Sequence, residues 1–80
     1  MYHLADALKI KYGLGSDPTD SQIKQWAEVT QKYIDSMFSY EKAGRMAASE
    51  IFYDFGKFIH SAVGDTLYTI LKEAKKKLYE

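Results

Sequence analysis

Eighty residues carrying 11 basic and 11 acidic side chains make one helical domain, residues 1–80, and remove the broad electrostatic case for nucleic-acid binding. The absence of cysteine excludes a disulfide framework and any thiolate zinc site. No apolar run approaches the ~18 residues of a membrane span, and Asp6 and Lys9 interrupt the region where a signal peptide would be apolar, so a cytoplasmic protein is expected.

The chain reads as all-α, a small compact bundle of about four helices near residues 2–13, 18–41, 45–63 and 65–79. Hairpin dipeptides and sustained apolar–polar alternation are missing, so no strand is predicted. In the first segment Leu4, Leu8 and Tyr12 recur at helical spacing, with Ile10 off the stripe. Lys9 and Lys11 fall where cations suit the negative end of a helix. Gly13 is predicted to end this helix in the left-handed conformation, with Leu14 folding back as the hydrophobic contact of the cap.

The second segment opens on Asp17-Pro18-Thr19-Asp20, read as an N-cap carboxylate followed by proline at the first helical position. Its apolar positions are Ile23, Trp26, Ala27, Thr30, Tyr33, Ile34, Met37 and Phe38, all on one side of a helical wheel. Continuing that wheel puts Glu41 in the apolar stripe, where an unpaired carboxylate is costly. The helix is therefore predicted to stop near Ser39–Lys42, with Gly44 supporting the stop.

From Arg45 a new phase begins, and Ala48, Ile51, Phe52, Phe55, Phe58, Ile59, Ala62 and Val63 form a broad face with Phe55 at its centre. The last apolar set is Leu67, Ile70, Leu71, Ala74 and Leu78, and its centre is rotated by about 120° from the preceding face. A break at Gly64-Asp65 accounts for the rotation, the rival being one long bent helix.

Chemistry-bearing patterns are scarce. There is no Gly-x-Ser-x-Gly, glycine-rich phosphate loop, His-Glu-x-x-His or Glu-x-x-His, so no catalytic, cofactor or metal residues are assigned and no enzyme is expected. Glu50, Asp54 and Lys57 read as a solvated ladder on one helix face. Ser49, Tyr53, Gly56 and His60 fall on one helix flank, where Gly56 would let a second helix approach closely; this strip is the candidate surface for a protein partner or for pairing two copies in a homodimer.

Tyrosine is over-used, at seven positions, and tyrosine is enriched at interfaces. Lys72, Lys75, Lys76 and Lys77 complement the end of the last helix and form the candidate anion contact, with Tyr68 and Tyr79 near for stacking. The expected function is that of a non-catalytic module binding protein, as a regulator, inhibitor or complex subunit. The alternative is nucleic-acid binding through these lysines or the start of the second helix.

Overall fold

The chain is seen here as a computed structural model that describes residues 3–56 and 66–79, without the side chains of 78 and 79. Among the described residues there are four helices and no strand: α1 (Leu4–Tyr12), α2 (Asp20–Asp35), α3 (Tyr40–Ile51) and α4 (Leu67–Tyr79). Helix α2 packs mainly against α3, and α4 touches all three others. The all-α bundle expected from periodicity is the observed fold.

Helix α1 ends as its residues require. Gly13 is left-handed (φ 63°), and the Lys9 carbonyl accepts from the backbone N–H groups of both Gly13 and Leu14. Leu14 returns to the core at 1% exposure, which supplies the hydrophobic contact of this cap. At the start of α2 the cap is Thr19 rather than Asp17. The Thr19 hydroxyl accepts from Gln22 N–H at 3.1 Å, and the Gln22 side chain accepts from Thr19 N–H at 2.8 Å. This reciprocal pair satisfies two of the N–H groups a helix start leaves over, so Pro18 lies outside the helix.

The remaining boundaries differ from the periodic reading. Helix α2 stops at Asp35, before the expected Glu41, and residues 36–39 form a tight corner. Trp26 Nε1–H donates to the Gly44 carbonyl at 3.0 Å, and Tyr33 donates its hydroxyl hydrogen to Glu50. These contacts advance in the same sense along both helices, the reverse of an antiparallel hairpin, so α2 and α3 cross. Gly44 does not end a helix. It lies buried inside α3 against Leu67 of α4 and the Tyr12 hydroxyl.

Glu41 is likewise not an apolar-stripe liability. Its side chain is largely exposed, and its two oxygens take the Lys11 ammonium at 2.8 Å and the Leu67 N–H of α4 at 2.7 Å. One carboxylate thereby joins the end of α1, the start of α3 and the first turn of α4. Partial burial pushes its pKa up, but the Lys11 hydrogen bond, the Leu67 N–H and the Lys11 charge together hold it below the usual glutamate value.

Helix α3 ends at Ile51, so neither the expected 45–63 helix nor a continuous helix through to the C-terminus forms. Phe52 adopts an extended backbone (φ −99°, ψ 101°) and buries its ring to 1% exposure. Phe55, expected at the centre of the core, is half-buried beside Tyr12 at a ring separation of 5.9 Å. Long-range polar bonds hold the turn that follows. Asp54 accepts from the N–H groups of Gly15 and Ser16 at 2.8 and 3.2 Å, and Gly56 N–H donates to the Tyr12 carbonyl at 2.9 Å. The expectations for Phe58, Ile59, Ala62, Val63 and the Gly64-Asp65 break lie outside the described residues, as does the side chain of Leu78.

Trp26, Phe52, Leu8, Leu14, Ile23, Leu67 and Ile70 form the centre of the core, each essentially inaccessible. Burying side chains of this size contributes roughly 1.5–3 kcal/mol apiece.

Candidate interaction surface

The crossing of α2 and α3 determines what the molecule displays. At the end of α2 the Met37 N–H donates to the Ile34 carbonyl at 3.0 Å and the Phe38 N–H to the Tyr33 carbonyl at 3.2 Å. This is the double hydrogen bond of a Schellman cap, and the Tyr33 and Phe38 rings supply its hydrophobic contact edge to face, 5.7 Å apart. The residue that must be left-handed in such a cap is Met37, at φ 77°. Glycine normally stands there, because a side chain in this conformation costs roughly 1–2 kcal/mol. Ser39 then caps α3, its hydroxyl accepting from Lys42 N–H at 3.3 Å.

Every residue from Asp35 to Lys42 is exposed. Within that run Met37 is 92% exposed, with Phe38 and Tyr40 also reaching solvent. Across from it, Tyr68 of α4 stacks on Tyr40, with centroids 6.0 Å apart and planes 20° from parallel. Gln31, Leu71, Lys72 and Lys75 complete a shallow groove of about 240 Å³ beside the two rings. The corner therefore presents a methionine and an aromatic pair with no core to cover them. Met and Tyr are the residue types enriched at protein interfaces, and Met adapts its shape to a partner.

The sequence-expected flank strip is not assembled. Ser49 lies on α3 with its hydroxyl donating to the Met46 carbonyl at 2.8 Å, while Tyr53 and Gly56 belong to the turn after that helix. Gly56 is left-handed (φ 74°), and among the described residues nothing lies within 4 Å of where its Cβ would stand, so it serves the turn and none of the described helices approaches it closely. Tyr53 stands 91% exposed in that turn, on none of the described helices, and His60 lies outside the described residues.

The lysine cluster divides. Lys72 borders the tyrosine groove, Lys75 bonds to Gln31 of α2, Lys76 is exposed, and Lys77 pairs with Asp20 at 3.3 Å. The two features offered for anion binding, the last helix and the start of α2, thus meet as partners of each other. Tyr68 is beside Lys72 as expected, but the side chain of Tyr79 is outside the description. Sequence reasoning missed Met37 and Phe38 as display residues because their spacing continued the α2 stripe, whereas Tyr40 falls off that stripe. The signal that could have found the corner is Ser39, an N-cap residue able to start a new helix directly after Met37-Phe38.

No helix among the described residues is long and apolar enough to cross a membrane. No protein-family model, curated protein or solved structure matches this chain.

Proposed function

We propose that the chain is a non-catalytic, cytoplasmic helical module that acts by binding another protein, as a regulator, inhibitor or complex subunit, through the α2–α3 corner. The observation that carries this reading is Met37: a fully displayed side chain held in a conformation that favours glycine. Its side chain covers nothing in the fold, so glycine would serve the cap at least as well, and the exposed methionine is accounted for by a contact outside the chain. Phe38, Tyr40 and Tyr68 extend the same surface.

The test is quantitative capture from the native host with wild-type chain, Met37→Asp and Tyr53→Asp, after thermal melts establish that all three fold alike. A defined protein retained by wild type and Tyr53→Asp but reduced at least tenfold by Met37→Asp is expected. Equal retention by all three refutes the corner as the binding surface. If that protein is a second copy, light scattering reports the homodimer directly.

A second reading is favoured by one feature, the stacked Tyr40–Tyr68 pair beside Lys72, since rings next to a cation suit the bases and phosphates of a single strand. Salt-dependent retention on single-stranded DNA, lost in Tyr68→Ala, would favour it over protein binding.

A further inference from the structure

On another side of α3 lies a cleft of about 530 Å³ between the end of α1 and the first turns of α3. That is within the range of roughly 300–1,000 Å³ typical of small-molecule sites. Its apolar lining is the tilted ring pair of Tyr12 and Phe55. Its charged lining is Lys11, Lys42 and Arg45 against Glu41. In a chain with equal numbers of acids and bases, three cations to one carboxylate is a local concentration.

The carboxylate is already occupied, since Glu41 holds Lys11 on one oxygen and the Leu67 N–H on the other. Lys42 and Arg45 are both exposed, and neither forms an ion pair among the described residues. Lys42 instead lies over the Phe38 ring, 5.5 Å from its centroid. What faces the cleft is thus two cations with no acidic partner among the described residues, beside two rings. A phosphate monoester carries a charge of about −1.5 to −2 at neutral pH, which matches that pair. The guanidinium fork of Arg45 is suited to two phosphoryl oxygens, and Lys42 acts as a point charge.

We infer that this cleft binds a small phosphate monoester carried on a flat ring, the phosphate between Lys42 and Arg45 and the ring against Tyr12 and Phe55. The site adjoins the Met37 corner through Ser39 and the Lys42–Phe38 contact, but Met37 is not part of its lining. Two sources share this chemistry, a nucleoside monophosphate and a simple aryl phosphate.

Amide NMR titration of the full chain with inorganic phosphate, phenyl phosphate, AMP and trimethylphenylammonium tests it. Phenyl phosphate or AMP is expected to shift Gly13, Lys42, Arg45 and Phe55 saturably, with affinity at least tenfold above inorganic phosphate. The cationic ring is expected to leave these residues unmoved, and the tighter of the two esters identifies the source. Lys42→Gln with Arg45→Gln should weaken binding at least tenfold, whereas Lys72→Gln with Lys76→Gln should not. Both cleft substitutions are at exposed positions, and a thermal melt verifies that the variant folds. Absence of saturable shifts with either ester at about 10 mM, or binding unchanged in the Lys42/Arg45 variant, overturns the site. Equal affinity for inorganic phosphate overturns the role of the ring pair.

Discussion

Gly44→Ala inverts the ordinary effect of a glycine-to-alanine change in a helix. Inside an exposed helix that change stabilises by about 0.8–1 kcal/mol, because alanine has less backbone freedom to lose. Here the added methyl would stand 2.6 Å from the Tyr12 hydroxyl, 2.8 Å from Leu67 Cγ and closer still to a Leu67 methyl. Leu67 is fully buried and Tyr12 is 7% exposed, so neither can swing into solvent. Overpacking of this kind costs about 1–3 kcal/mol. Set against the propensity gain, the net loss is about 0–2 kcal/mol, at most roughly 16 °C in melting temperature for a domain of this size. Urea denaturation followed by circular dichroism measures it.

The same substitution made in a Tyr12→Phe/Leu67→Ala background, where the obstructing atoms are gone, should be neutral or stabilising. A Gly44→Ala single variant more stable than wild type would refute the close approach of α3 to α4.

Three further outcomes are expected. Phe52→Ala should cost about 3–5 kcal/mol in chemical denaturation and Phe55→Ala about 1–2, since only Phe52 is fully buried; the reverse order would place the core elsewhere. Met37→Gly should leave stability unchanged or raise it by up to about 1 kcal/mol, because it relieves a left-handed side chain that packs on nothing, and a loss above about 1 kcal/mol would show that the methionine supports the fold. Glu41 has a depressed folded pKa, so its contribution is present above the unfolded glutamate value of about 4.3 and is lost as pH falls through the lower folded value. Glu41→Gln should therefore be less stable than wild type at pH 7, by no more than about 1 kcal/mol given its exposure. The difference should narrow below pH 4, and a gap independent of pH would refute the role of the carboxylate charge.

The sequence by itself determined what local physics determines. Helical periodicity specified the all-α class, and the Gly13-Leu14 cap followed from glycine's tolerance of a left-handed backbone. Leu4, Leu8, Ile23, Trp26, Ile70 and Ala74 were legible as core because each recurs at helical spacing on a single face. Tertiary structure decided the rest. Spacing alone carried α2 through Met37 and Phe38, since nothing local marks a methionine as a left-handed cap. Only the crossing of α2 over α3, with Trp26 bonded to the Gly44 carbonyl, makes the break worth its strain.

Gly44 reads locally as a helix stop, and Glu41 as a misplaced charge. Both acquire their roles from α4, whose Leu67 needs the missing Cβ and whose first turn needs a carboxylate. The candidate interaction surface was hidden for the same reason. A helical wheel assigns an apolar side chain to the interior whenever its phase continues. Whether Met37 and Phe38 are covered depends on where the neighbouring helix is, a long-range property that no spacing along the chain encodes.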